Sequence, residues 1–478
     1  MNLSLRAGVA RIFVSQDEKK IYVIAALMRV FILVLILWFF GSGRLTGLAD
    51  GPKYMRLATT LLARHAFVDP MVAGDLPEDV RPPGYPAFLA SFLLLKTPLW
   101  TISLVQILVT SLGAVYAMRL ARRMALSPRV AYAAGIITAL EPLQALHSVI
   151  LSSDAFGSLT FLLFFYFLVL FWQEEKLRHL ITAVVFLAAF NYVRRVGVYL
   201  GFAMGPLLVM AAFILRRRGR NMLVPATLFI VSFFLLLMPW MVRNYYASGH
   251  FAFSSSLSRV LFYNAGGAVA AARDGTTFEQ AKTRLENEIV PRLPEPRDIE
   301  SFKNGPLYRD YARRIILANP VQYLKLYFFA LNTFFTSGNY HYLLKYFGVI
   351  DAPREGVRSF TLLFASHSLG DSWAAVRIFV AQPYGLIALL GRIFWIPLFL
   401  GSLLSCLYLW RAYPASRFAL LLYLLVVAYS AAMIGAHIEG TEARHRMYLD
   451  PLMFVFGSAG LSVCFAKCVK HLRIFSRT

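Results

Sequence analysis

Only 25 acidic residues occur among 478, and three stand beside or inside hydrophobic runs: Asp50, Glu141 and Asp154. A carboxylate so placed needs a partner, a water-filled cavity or a function. Asp50 precedes Gly51-Pro52 and an amphipathic stretch. Two readings stand for it: the N-cap of that helix, or a carboxylate facing the cavity between helix and bundle. Asp154 closes Leu151-Ser-Ser-Asp154 in a tight connection between two apolar runs, and either caps the helix beginning near Ala155 or serves the same face. Glu141, followed by Pro142, lies deeper; it is expected to be buried and hydrogen-bonded, in a structural role or lining a polar cavity.

The complementary cations are Arg81 in Arg81–Pro86, Arg194 and Arg195 between two apolar half-runs, Arg243 beside Asn244, and Arg444 and Arg446 flanking His445. Arginine's planar fork suits phosphate oxygens, and a lipid phosphate is the natural client at a membrane boundary. For any single arginine the competing reading is a headgroup anchor. Cys406, Cys464 and Cys468 show no CxxC or Cys/His spacing, so structural zinc is not expected. Neither GxGxxG nor a Walker sequence occurs, which removes the usual nucleotide cradles.

The elements that must position these groups follow from composition. The chain is 58% hydrophobic and 15% charged, against roughly 25% charged in soluble domains. Its apolar residues recur in runs near the ~20 residues that cross a bilayer as helix. Spans are predicted at about 21–40, 98–118, 130–150, 156–172, 179–193, 197–215, 222–242, 385–409, 418–436 and 449–466. Two interrupted apolar segments, 320–337 and 360–381, bracket the count at ten to twelve. The formal charge of +23 sits in short clusters between runs: ahead of the first span, then Arg119/Arg122/Arg123/Arg129, Lys176/Arg178, Arg216/Arg217/Arg218/Arg220, Arg411/Arg417 and Lys467/Lys470/Arg473/Arg477. That is the positive-inside pattern, not a nucleic-acid stripe, and it sends Asp50, Arg81, Asp154, Arg194/Arg195 and the 437–448 stretch to the opposite face. The first run is longer than a signal-peptide core and reads as an uncleaved span.

The expected fold class is all-α: a polytopic transmembrane bundle with an amphipathic helix in the first outer loop (about 41–97) and a small helical extracytoplasmic module. Tyr54, Leu57, Ala58, Leu61 and Leu62 carry the helix's apolar face. Three regions are expected: 1–242, an N-terminal catalytic bundle including the first outer loop; 243–384, extracytoplasmic and interfacial; and 385–478, C-terminal helices and a basic tail. Gly197, Gly201 and Gly205 are spaced for close helix packing.

In chain order, LADGPKYMRLATTLLARHAF, RPPGYPAFLA, LSSDAFGSLTFLL, NYVRRVGVYLGF, PWMVRNYYASGHFAFSS and RHRMYLDPL resemble the bacterial membrane glycosyltransferases of the GT-C type, the group of the protein O-mannosyltransferases and the lipid A aminoarabinose transferase. The resemblance implies an inverting transferase that moves a sugar from a polyprenyl-phosphate donor to an envelope lipid, polysaccharide or protein, in the bacterial inner membrane with its site facing the periplasm or cell exterior. It implies Asp50 as catalytic base or acceptor organiser, Asp154 as the second acidic position, and Arg81 as a donor-phosphate contact. Arg194, Arg195, Arg243, Arg444 and Arg446 match by region as further phosphate contacts. Asp50 acts as a base if partial desolvation raises its pKa. The family often carries a second acid directly after the first; here that place is Gly51. A divalent cation, Mg²⁺ or Mn²⁺ on Asp50 and Asp154, is therefore compatible but not required. The rival class is a membrane transporter or lipid flippase, for which repeats or broken helices at mid-membrane are expected.

Overall fold

Each of the ten predicted runs is helical in the computed structural model, as backbone groups facing lipid must be satisfied within their own segment. The structure describes residues 13–47, 50–72, 74, 76–216, 221–349, 377, 383–439 and 443–475. Among these no strand occurs beyond an isolated bridge between Val68 and Pro77. Of the two bracketed segments, 320–337 is a helix, Pro320–Thr336; 360–381 lies, apart from Arg377, outside the described residues.

Helix α1 spans Gln16–Phe40. The loop after it holds α2, Gly51–Arg64, and α3, Gly84–Leu94. Next come α4, Leu99–Thr110, and α5, Leu112–Arg123, which run on as one apolar rod. The expected 130–150 span is two pieces, α6, Pro128–Leu140, and α7, Pro142–Val149. Pro142 lacks a backbone donor and disfavours helical backbone at the residue before it; Glu141 stands at φ −59°, ψ 120°, and the helix restarts at Pro142. Helices α8, Asp154–Glu174, α9, Leu177–Val193, α10, Val198–Ile214, and α11, Leu223–Ser248, follow. A helical module, the one expected to be the outer module, contains α12, Ser256–Val260, α13, Gly267–Asp274, α14, Phe278–Ile289, and α15, Gly305–Ala318. The chain returns through α16, Pro320–Thr336, α17, His341–Tyr346, α18, Pro383–Ala412, α19, Arg417–Ile434, the single turn α20, Ala443–Arg446, and α21, Asp450–Phe475.

Among the described residues seven helices are long and apolar enough to cross a membrane, and Pro128–Leu140, Leu177–Val193 and Asp450–Ala466 are shorter apolar helices. The chain is an all-α, multi-pass membrane protein. Small residues bring its rods together. A Cβ at Gly460 would lie 1.9 Å from the Gly401 carbonyl, and one at Gly201 would lie 2.1 Å from the Phe233 ring. These approaches clamp α18 to α21 and α10 to α11.

The charged connections gather at two ends of the bundle. At one, Glu18 accepts from Arg119 at 2.7 Å, Glu174 from Arg123 and Lys176 at 3.0 Å, and Ser416 donates to the Met124 carbonyl. Asp50, Arg81, Asp154, Arg194 and Arg444 meet at the other.

Candidate active site

Proline at the second position starts α2 at Gly51 and makes Asp50 its N-cap. A capping aspartate normally accepts from the N2 or N3 backbone amide; Asp50 makes no such bond. Its carboxylate turns instead to Arg81, whose Nη2 donates to Oδ1 at 3.0 Å, while Arg444 Nη1 stands 4.0 Å from Oδ2. The side chain is 39% accessible although ringed by charged groups. Burial pushes its pKa up, but the charges of Arg81 and Arg444 outweigh burial and hold it at about 2. That reverses the expected raised pKa: partial desolvation is present, and the guanidinium groups dominate it.

Arg81 is shared among carboxylates. Its Nη1 donates to Glu300 Oε2 at 2.6 Å and its backbone amide to Glu78 Oε1 at 2.8 Å. Lys53, one turn beyond Asp50 on α2, reaches Glu300 at 2.6 Å and Glu78 at 2.7 Å. Arg259 of α12 closes on the other oxygen of Glu300 at 3.2 Å. The helical module is latched here: Ser255 N donates to the Asp79 carbonyl at 3.0 Å, Ser254 Oγ to Val80 O at 2.8 Å, and Phe302 N to the Asp79 carboxylate at 3.1 Å.

On the side of Asp50 facing Arg444 the charge is mainly positive. Arg195, at the start of α10's leading turn, donates to Ser256 Oγ at 2.7 Å. The rings of His437 and His445 lie 5.2 Å apart. Burial and then the charges of Arg195, Arg444 and Arg194 press His437 down to about 4, and burial and Arg444 likewise lower His445. Burial and the neighbouring cations disfavour the charged form of both imidazoles.

Asp154 is the first residue of α8, not its cap. Its side chain, 4% exposed, is ion-paired with Arg194, accepts from Ser152 Oγ, and lies 3.2 Å from His147 Nδ1. Arg194 reaches it by lying across Gly157, where a Cβ would sit 2.7 Å from the arginine's Cδ. Tyr54 of α2 meets Ser153 at 3.1 Å, tying the first loop to this turn.

Three residues singled out by sequence lie elsewhere or act locally. Arg243 donates to Glu78 O at 3.2 Å, Phe67 O at 3.0 Å and Asn244 Oδ1 at 2.9 Å, and its guanidinium stands 4.8 Å from the Trp240 ring. It props the backbone at Phe67 and Glu78. Arg446 is fully buried, paired with Asp450 at 2.6 Å, bonded to the carbonyls of Phe334 and Ser337, and stacked on Trp395. Its guanidinium is taken up by these partners and not by the cluster around Asp50. Glu141 is the buried N-cap of α7, accepting from Gln144 N at 2.6 Å.

Compared with known proteins, residues 80–242 match the family of dolichyl-phosphate-mannose-protein mannosyltransferases. The match takes in Arg81, Asp154, Arg194 and Arg195 and leaves Asp50 outside. No relative among curated proteins matches by sequence. The Archaeoglobus fulgidus oligosaccharyltransferase in its apo form superposes with a TM-score of 0.50 at 17% identity, over 96% of this chain and 52% of that one. The chain has the fold of the GT-C type glycosyltransferases. The oligosaccharyltransferase AglB from the same organism, in complex with an inhibitory peptide and a dolichol-phosphate, gives a TM-score of 0.46 at 14% identity, with 96% and 52% coverage. The chain spans about half the length of these two structures.

In this bundle the donor set does not fit a divalent cation. The carboxylates of Asp50 and Asp154 each face guanidinium groups, and among the described residues no three His, Cys, Asp or Glu side chains converge as a metal site. Gly51 cannot be replaced by a second acid in place: a Cβ there would stand 2.6 Å from Thr46 O and 3.0 Å from Leu151 O. Sequence reasoning missed Lys53, Glu78, Glu300 and Arg259. Lys53 follows Asp50 by three residues and shares its side of the helix, a signal available in the sequence. Glu300 reaches Arg81 across 219 positions, and nothing local announces it.

Proposed function

We propose that the chain is an inverting glycosyltransferase, taking a sugar from a polyprenyl-phosphate donor and passing it to an envelope acceptor. The site lies at the Asp50 end of the bundle, which faces the periplasm or cell exterior of a bacterial inner membrane. One observation carries the reading: Asp50 leaves its capping bond unmade and lies between Arg81 and Arg444, pairing a candidate proton acceptor with a candidate phosphate ligand. The family match over 80–242 supports the donor class.

The acceptor hydroxyl attacks the anomeric carbon on the face opposite the phosphate, through an oxocarbenium-like transition state. The bond from that carbon to the phosphate oxygen breaks, and polyprenyl phosphate leaves with the electron pair. Arg444, with Arg195 and Arg194 beside it, balances the charge gathering on the phosphate. Arg81 takes a different part from the phosphate contact implied by resemblance: both its Nη atoms are already engaged, and it aims Asp50. Asp50 accepts the hydroxyl proton. At a pKa of about 2 it is a weak base, and a phosphate at Arg444 lessens the field that depresses it, so its basicity rises as donor binds.

The test is transfer by purified protein in bilayers supplied with polyprenyl-phosphate sugars, with released polyprenyl phosphate and the product anomer both measured. Inverted product, a donor KM raised about tenfold in Arg444→Ala, and kcat lowered about a hundredfold in Asp50→Asn are expected. Movement of intact donor across the bilayer without glycosidic cleavage would instead establish the transporter reading.

A further inference from the structure

Glu300 stands out among the carboxylates because it belongs to the outer module and yet lies inside the site. Its side chain is 15% exposed and touches three cations from three segments: Arg81 of the proline-rich turn and Lys53 of α2, both at 2.6 Å, and Arg259 of α12 at 3.2 Å. The segment carrying it is fixed on both sides. Its backbone amide donates to Asp298 Oδ1 at 2.9 Å, and its carbonyl accepts from Ser255 Oγ at 2.6 Å. Ser255 is also bound to Asp79, two residues before Arg81.

Arg81 therefore sits between two carboxylates, with Nη2 on Asp50 and Nη1 on Glu300. A guanidinium has a rigid fork, so fixing one arm fixes the direction of the other. It also shares one positive charge between two anions, and Asp50 feels only part of it. We propose that Glu300 is a positioning residue for the transfer reaction: through Arg81 it sets both the direction and the proton affinity of Asp50, so that the outer module completes the active site. Lys53 and Arg259 hold Glu300 ionised, since their charges and that of Arg81 outweigh the burial that would raise its pKa.

This inference rests on the transfer reading. Removing the charge with Glu300→Gln gives Arg81 wholly to Asp50, which becomes a poorer base while Arg444 and Arg195 still meet the donor. The expected signature is a split: kcat falls about tenfold while donor KM stays within about threefold. Glu300→Asp, which keeps the charge on a shorter arm, retains about a third of kcat or more. In an Arg81→Lys background, where one ammonium replaces the fork, Glu300→Gln should lower kcat by less than about twofold further.

The assay uses the full chain in bilayers at matched abundance, with melting of each variant followed in parallel. Wild-type kcat in Glu300→Gln overturns the proposal. So does a tighter donor KM with kcat unchanged, because Glu300 would then compete with phosphate. So does a loss of protein stability that accounts for all lost activity and that Glu300→Asp does not restore. If the wild-type chain itself transfers no sugar, the transfer reading fails and the role of Glu300 falls with it; wild-type transfer with an unaffected Glu300→Gln sinks only the role of Glu300.

Discussion

Removing Arg194 should destabilise the bundle far more than removing an exposed arginine. Asp154 is 4% exposed and Arg194 15%, which places the pair with buried ion pairs. An exposed pair contributes about 0–1 kcal/mol, whereas deleting one member of a buried pair costs about 3–5 kcal/mol because the other charge stays buried. His147 and Ser152 remain beside Asp154 and soften the loss, so about 3 kcal/mol is expected for Arg194→Met. Asp154→Asn leaves a neutral amide on the same partners and should cost less. In the double variant the stranded charge is gone, so the two effects should fall short of additivity by about 2 kcal/mol. Unfolding of the purified protein in mixed micelles, titrated with a denaturing detergent, measures all four corners of the cycle. Additivity within about 0.5 kcal/mol would show that the pair does not act as a unit, and the geometry assigned to Arg194 would be wrong.

Further outcomes follow from single contacts. Gly51→Ala places a methyl 2.6 Å from Thr46 O; crowding of that kind costs about 1–3 kcal/mol, and transfer should fall with it while Pro52→Ala has little effect. Asp298 is 7% exposed, and burial pushes its pKa up to about 6. A raised folded-state pKa makes the group's stability contribution full below about pH 4 and lost as pH rises through about 6. Asp298→Asn should therefore stabilise the protein by about 1–3 kcal/mol at neutral pH and by almost nothing near pH 4, as thermal melting against pH will read. Chelation by EDTA should leave transfer within about twofold of its starting rate, the donor set being unsuited to a cation; complete loss reversed by Mg²⁺ or Mn²⁺ would restore the metal to the account.

Apolar periodicity and charge spacing carried much of the fold. The ten runs, the helix on Tyr54, Leu57 and Ala58, and the separation of Arg119 and Arg123 from Asp50 and Arg81 depend on local composition, and local composition is what a sequence displays. The break at Glu141-Pro142 was visible as residues, but its effect, a split span with a buried cap, depends on how α7 packs. In the site, the arginines drew attention as a class, and class does not separate Arg444, which faces Asp50, from Arg446, two positions on and sealed against Trp395. A helix turns about 200° in two residues, so their fates diverge. Glu300 carries no local signal because its partners lie in other segments. The depressed pKa of Asp50 was illegible for the same reason: the sequence shows the carboxylate, while its sign of shift is decided by Arg81 and Arg444 at long range.

Mass spectrometry of envelope lipids and glycans tests the central claim most directly, comparing cells that express the wild-type chain or Asp50→Asn at equal membrane abundance in a host that supplies polyprenyl-phosphate sugars. The expected result is loss of one sugar mass from one envelope species in Asp50→Asn, which would name sugar and acceptor together. Identical spectra, with the wild-type product present in both, would contradict a transferase acting through Asp50.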